Sequence, residues 1–456
     1  MTLTALREDA LTTTPAGFEL RLSLPWIRSL PLSSLSGLEL SVDGSAQRVR
    51  IRLGDRTIAA TDGETGWWHL QDRVVVAGDA PLDDGHDVAV SFRLAIPYLP
   101  MGGEMLVIPI RERAPRHPMR TRLRGGGRPM SAPFSGRLAA SAFNWTPQIV
   151  RAERGATDIA ATIATDGIAD LIEVEAGQAW RGFPAPADDE VDALRERLAD
   201  AGARVSIVGA SIDEWAEDGH RRDDDERLAF LLPQLRAASR VGAEGARLPI
   251  GQAGPALLAR LQPVLHELDL VLFEEAQGSQ TPGSDAHAAD YDEIARLDDP
   301  HLRLLIDISM LMPALPTSYV RALASAGVDD ALVRRLADGW RDPATPRVVM
   351  EALRGGAIPG SAQALAMDMI VRFGRSSADE LREVLPLVGA FHLKFWDLDD
   401  ADGRVSAPIR DVGSLLRGTA FRGTLCSEWG GHAWLDDDPA EMTSAHLALA
   451  RRALGA

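Results

Sequence analysis

From Phe134 onward the chain alternates short apolar runs with long amphipathic ones, and this alternation constrains the fold more than any other feature. Candidate strands fall at Ser141–Asn144, Leu171–Glu175, Val205–Val208, Gly245–Leu248, Leu270–Glu275, Leu304–Asp307, Ala390–Lys394 and Gly423–Glu428. Helical patterns lie between them, for example Val191–Ala201, Glu226–Val241, Ala256–His266 and Ala440–Leu454. Repeated strand-then-helix units pack as parallel strands covered by helices, and eight such units make a (β/α)8 barrel, the TIM-barrel fold. The connection from Ile308 to Gly389 is too long for one unit. Its periodicity predicts helices over Tyr319–Ala326, Ala331–Trp340, Ala362–Phe373 and Ala378–Val388. We read 308–389 as a helical insertion after strand six, on the face where barrel active sites lie. It suits a lid, or a contact with a second copy in a homo-oligomer.

Residues 1–111 follow a period of two instead. Gly17–Leu24, Leu38–Val42, Val49–Leu53 and Val88–Leu94 each alternate apolar and polar positions, as half-buried strands do. Asp43-Gly44, Asp62-Gly63 and Asp84-Gly85 are turn signals between them. The expectation is an antiparallel β-sandwich of about seven or eight strands, with Trp67 and Trp68 either in its core or covering a contact surface. Residues 112–133 break both patterns with Pro115, Pro118, Pro129, Pro133, Gly125-Gly126-Gly127 and a run of arginines, and read as a linker. The organisation expected is multidomain: a β-sandwich over 1–111, a linker over 112–133 and an α/β barrel over 134–456.

Composition excludes several functions. A formal net charge of −18 is the wrong sign for nucleic acid, whose phosphates need a basic face. No run of about 18 apolar residues offers a membrane span. Met1 to Asp9 lacks a basic segment followed by an apolar core, so no signal peptide is expected. The single cysteine, Cys426, rules out an internal disulfide framework and fits a reducing cytoplasm.

The chain holds one lysine, Lys394, against 47 arginines. It lies two residues from His392, so on a strand both side chains face the same space. Around that pair, Glu275, Asp307, His392 and Glu428 fall at or near the C-terminal ends of four successive candidate strands. Polar residues at that end of a barrel read as catalytic. Three carboxylates and an imidazole converging there call for a cation. The O, O, N, O set suits a hard or borderline divalent ion, Mn2+ ahead of Mg2+, Co2+ or Zn2+.

The quartet and its surroundings resemble the sugar-phosphate isomerase/epimerase (xylose-isomerase-like) barrels. The residues are Glu275-Ala276-Gln277-Gly278-Ser279-Gln280-Thr281-Pro282, Asp307-Ile308-Ser309, His392-Leu393-Lys394-Phe395 and Ser427-Glu428-Trp429. A closer resemblance is to the C-glycoside deglycosidases, in which a barrel subunit works with a small β-sandwich subunit. Gly17-Phe18-Glu19, Leu24-Pro25-Trp26-Ile27-Arg28-Ser29-Leu30-Pro31-Leu32 and Ile96-Pro97-Tyr98 resemble the small subunit. Here the two parts are fused, sandwich first.

The resemblance implies an enzyme with Glu275, Asp307, His392 and Glu428 as metal ligands. It implies a lyase acting on 3-oxo-glycosides, C-glycosides foremost, with an aromatic aglycone. Loss of the C2 proton would give an enolate that expels the aglycone from C1. By analogy with epimerases, Glu428 or Glu275 is the candidate base, and Lys394 is an electrophilic partner for the enolate oxygen. His432 and His287, on the loops after strands eight and five, are further acid/base candidates. Asn144, Trp145, Glu173, Glu175, Arg247 and Trp429 are candidates to line the sugar pocket. The alternative is a divalent-metal sugar isomerase or epimerase working through an enediolate. A phosphosugar enzyme would add a basic or glycine-rich cradle near strands seven and eight. Gly430-Gly431 is the available candidate, with no arginine cluster beside it.

Overall fold

The computed structural model of the protein describes residues 4–14, 17–58, 64–79, 87–101, 103–114 and 137–455. The Asp62-Gly63 and Asp84-Gly85 turns, and all of the expected linker beyond Ala114, lie outside these residues.

The N-terminal part is an antiparallel sandwich. One sheet runs Leu6–Thr14, Gly17–Ser23, Arg73–Gly78, Val49–Leu53, Arg56–Ile58 in spatial order. The other runs Glu104–Arg113, Val88–Met101, Leu35–Val42, Ser45–Ala46, and a two-stranded pair joins Leu30–Pro31 to Trp67–Trp68. The period-two text explains the layering. Phe18, Leu20 and Leu22 of one sheet and Val88, Val90, Phe92, Leu94 and Ile96 of the other are buried in a common core. The strand Glu104–Arg113 extends past residue 111 into the segment read as linker.

The C-terminal part is a closed barrel of eight parallel strands. They are β1 (Arg137–Ser141), β2 (Leu171–Glu175), β3 (Arg204–Gly209), β4 (Gly245–Pro249), β5 (Val271–Ala276), β6 (Leu302–Asp307), β7 (Val388–Phe395) and β8 (Thr424–Trp429). The first strand lies earlier than its text suggested. The Ser141 hydroxyl accepts from the Phe143 amide at 3.2 Å, and this cap turns Ala142–Trp145 into a 3-10 helix above the strand end. The insertion contains helices Thr317–Ser325, Asp330–Asp338, Thr345–Arg354 and Gln363–Arg372 around its own core of Tyr319, Leu323, Leu336, Trp340 and Phe373. The predicted helix Ala378–Val388 forms only two 3-10 turns, Ala378–Leu381 and Leu385–Leu387. Pro386 lacks the amide that an α-helix would need there.

The sandwich docks on the loops that follow β2 and β3, which lie on the face carrying the strand ends. The stretch Leu24–Leu32 leaves its sheet and runs along the barrel. The Ser29 amide donates to the Gly177 carbonyl at 3.3 Å, and the Gln178 side chain donates to the Ile27 carbonyl at 2.7 Å. Arg28 forms an ion pair with Asp213, and both are buried. Its guanidinium lies 4.1 Å from the Tyr98 ring centroid and 5.0 Å from that of Phe183. A Cβ on Gly177 would meet the Arg28 Cβ at 2.8 Å, so this close approach requires glycine. A bulge between Ile96 and Pro100 takes Pro97 out of its ladder. The Pro97 carbonyl instead accepts the amides of Glu214 and Trp215, at 2.8 and 3.2 Å. The two adjacent tryptophans divide the alternatives between them. Trp68 is fully buried in the sandwich core, while Trp67 packs edge-on against the barrel's Phe183 at 5.4 Å.

Candidate metal centre

Adjacent parallel strands place residues of equal height side by side, and the register of the last strands builds the site. Asp307 of β6 pairs with His392 of β7, and Lys394 of β7 pairs with Glu428 of β8. Glu275 comes from the neighbouring β5. Glu275, Asp307, His392 and Glu428 are all buried, and each offers a ligand atom within 4.8 Å of the others.

The contacts show what these atoms aim at. His392 Nδ1 lies 3.0 Å from Glu275 Oε1 and 2.9 Å from Glu428 Oε2. Yet His392 Nδ1, Glu428 Oε2 and Asp307 Oδ2 are buried without any aligned hydrogen bond. Buried polar atoms are rarely left that way. Three ligand atoms, from three of the four residues, thus gather in one buried space without an aligned hydrogen bond, Glu428 Oε2 keeping its ion pair with Lys394. Only the other oxygen of Asp307 is satisfied, by the Ser309 amide at 2.7 Å.

Charge points the same way. Glu173, Glu175, Glu275, Asp307 and Glu428 are five carboxylates meeting two permanent cations, Arg247 and Lys394. Arg247 binds Glu173 at 2.5 Å, Glu275 at 2.8 Å and also Glu175. Lys394 Nζ lies 3.0 Å from Glu428 Oε2. Burial pushes the Asp307 carboxyl up to about 6 despite the pull of Lys394. Burial likewise raises Glu175 to about 7 against the attraction of Arg247. Burial also opposes charge on Glu428, yet Lys394 and His392 hold its carboxyl well below the usual range. For Lys394, burial is outweighed by Glu428 and Asp307, and the ammonium is held above its ordinary value. The surplus of carboxylate suits a divalent cation, and three oxygens with one nitrogen form a hard-to-borderline donor set.

The other predicted site residues separate into groups. Glu173, Glu175 and Arg247 border the quartet, as described. Asn144 is not at a strand end and does not face the pocket. It is fully buried, its amide donates to Ser427 O at 3.2 Å and Thr443 Oγ1 at 3.0 Å, and its oxygen accepts the Trp429 amide at 2.7 Å. His446 Nδ1 meets Ser427 Oγ at 2.8 Å. The residues on both sides of Glu428 are therefore pinned from behind. Trp145 and Trp429 are both core residues, at 4% and 1% exposure, rather than stacking platforms. The Trp429 indole donates to the Trp396 carbonyl at 2.8 Å. Gly430 and Gly431 pack against Trp396, which explains them as close-approach glycines and removes the phosphate-cradle reading.

His432 is buried beside Phe143 and Trp429, and burial, with Lys394 nearby, pushes its imidazole down to about 3. It is therefore held as the neutral imidazole, without the second proton of an imidazolium. His287 precedes the helix Ala288–Leu297 and pairs with Asp290 at 3.2 Å. His266 pairs with Asp299 at 3.0 Å. Burial holds the Cys426 thiol well above its ordinary range, in its protonated form. Sequence reasoning named Glu173 only as a pocket residue and missed its contact with His392, across the barrel at 3.1 Å.

Fold and site together define a barrel enzyme whose strand ends carry a buried acidic cluster able to hold a metal ion. No family model matches the chain. It is 28% identical over 304 residues to a C-glycoside deglycosidase alpha subunit of Arthrobacter globiformis, covering 64% of this chain and 85% of that one. It is 26% identical to the 3'-dehydrocarminate deglycosidase alpha subunit of Microbacterium sp., covering 70% and 95%. Over 107 residues it is 36% identical to the corresponding Microbacterium beta subunit, covering 22% and 81%. The chain belongs to the C-glycoside deglycosidase family, with regions similar to both subunits in one polypeptide. Among solved structures, a 3-keto-D-glucoside 4-epimerase from E. coli aligns over 63% of this chain and 94% of its own. Its identity is 14% and its TM-score 0.36, a similarity too low to add to what the relatives show.

Proposed function

We propose that the protein is a lyase that cleaves glycosides already oxidised at C3, C-glycosides foremost, by C2 deprotonation and elimination of the aglycone. The observation that carries this reading is the pairing of Glu428, a member of the buried quartet, with Lys394 beside it, carboxylate and ammonium 3.0 Å apart. A relative's name, 3'-dehydrocarminate deglycosidase, specifies a glycoside oxidised at this position. Glu275, Asp307, His392 and Glu428 would hold a divalent ion, Mn2+ first, and the ion would supply Lewis-acid polarisation of substrate oxygens. No membrane-crossing helix occurs among the described residues. With a single cysteine, we place the protein in the cytoplasm.

In this reading Glu428 takes the proton from C2, and Glu275 is the alternative base. The electron pair moves toward the C3 oxygen, where the Lys394 ammonium offers a hydrogen bond. The pair then forms the C1=C2 bond as the C1–aglycone bond breaks. The proton held on Glu428 goes to the departing aglycone atom, so no external acid or oxidant is consumed. His432, buried beside Phe143 and Trp429, is given no step in this scheme.

Incubation with a 3-oxo-C-glucoside and with its unoxidised parent tests the reaction. Aglycone release from the oxidised compound alone is expected. Release from the parent, or ketose interconversion without release, would overturn the lyase reading in favour of another enolate or glycosidase chemistry. Lys394→Arg keeps the charge but replaces a compact ammonium by a planar fork. Turnover is expected to fall about 10-fold or more, the cost of roughly 1.4 kcal/mol of transition-state stabilisation. Unchanged kcat would remove Lys394 from the mechanism.

A further inference from the structure

We propose that Glu173 is a positioning residue that fixes the tautomer of His392, so that His392 meets the ion through Nδ1 and carries its proton on Nε2. The proposal rests on the quartet being an ion site, and it concerns a residue outside that quartet. Glu173 sits in β2 and is completely buried. Both of its oxygens lie 3.1 Å from His392 Nε2. The opposite edge of the same ring presents Nδ1, 3.0 and 2.9 Å from Glu275 and Glu428 oxygens and aligned with neither.

A neutral imidazole has one N–H and one lone pair. With the proton on Nδ1, the bare Nε2 lone pair would face two carboxylate oxygens of the buried Glu173. With the proton on Nε2, Glu173 accepts it and the Nδ1 lone pair points at the other ligand atoms. Either tautomer of the neutral ring sets a lone pair against carboxylate oxygens, but only on the Nδ1 side, where Glu275 and Glu428 lie, would an ion at the quartet stand between them and relieve the repulsion. A carboxylate behind a ligating histidine also raises the basicity of the ligand nitrogen.

Arg247 ties this support to the rest of the quartet. Its Nε donates to Glu173 at 2.5 Å and its Nη1 to Glu275 at 2.8 Å. One guanidinium therefore orients both the carboxylate that holds His392 and a carboxylate that binds the ion. These contacts assign Arg247 to the framework of the site.

Two measurements test the assignment. In wild-type protein labelled with 15N-histidine and loaded with 113Cd2+, cadmium coupling is expected at His392 Nδ1, with the proton on Nε2. Coupling at Nε2 overturns the proposal. In Co2+ titrations of apoprotein followed by visible absorption, Glu173→Gln is expected to weaken binding by about 10–100-fold, the range for lost outer-shell support. The variant's apo thermal transition should stay near wild type, because glutamine keeps the shape and an acceptor for Arg247. Equal Co2+ affinity in the folded variant overturns the role of Glu173 while leaving the quartet intact. Absence of Co2+ and Cd2+ binding by wild type overturns the ion site and this proposal together.

Discussion

Glu428→Gln is expected to lower turnover of a 3-oxo-glycoside by about 10²–10⁴-fold, the usual cost of losing a positioned proton-transfer group. The variant also loses a ligand oxygen, so its divalent-ion affinity should fall in parallel. The fold should survive. Glu428 is flanked by Ser427 and Trp429, which are held through Asn144 and His446 independently of the carboxylate. The substitution also replaces the carboxylate 3.0 Å from the Lys394 ammonium by a neutral amide. Chelation of wild type should produce the same loss reversibly, with activity restored by added Mn2+. Steady-state kinetics beside ion content by elemental analysis decides the matter. Full turnover by the chelated wild type would sink the metal reading, and full turnover by Glu428→Gln would shift the base to Glu275.

Arg28→Ala is expected to uncouple the sandwich from the barrel. Asp213 is fully buried, and burial already holds its carboxyl above the usual range despite Arg28. Removing one partner of a buried ion pair typically costs about 3–5 kcal/mol, because the remaining charge is stranded. Loss of the stacking on Tyr98 and Phe183 adds to this. The single-site variant should unfold at lower temperature than wild type, with two calorimetric transitions replacing a joint one. Replacing both partners by apolar residues of similar volume, Arg28→Met with Asp213→Leu, should recover most of the loss. An Arg28→Ala transition matching that of wild type would show that the pair contributes nothing to docking.

These two sites were unequally legible. The quartet could be read from the linear text because strand ends in a closed parallel barrel lie side by side, so Glu275, Asp307, His392 and Glu428 needed only their strands to be located. Lys394 stood out by composition, and the two-residue spacing put it on the same face as His392. Asn144 misled because Ser141 ends the first strand by capping a turn, which lifts Asn144 off the barrel axis and into contact with β8. The tryptophans misled because an indole can pack or stack, and sequence carries no record of which neighbours cover it. The helix expected over Ala378–Val388 failed at Pro386, a signal that was present but outweighed by apolar spacing.

The amino-acid sequence by itself determined the order of elements, the inward faces of the strands and the height of the acidic residues in the barrel. Those follow from local periodicity and from the fixed geometry of parallel strands. Only the tertiary structure decided that Glu173 stands behind His392, 219 positions away in the chain, and that Arg28 meets Asp213, 185 positions away. Such pairings depend on the closure of the barrel and the docking of two domains, and no local pattern of residues encodes the distances that result.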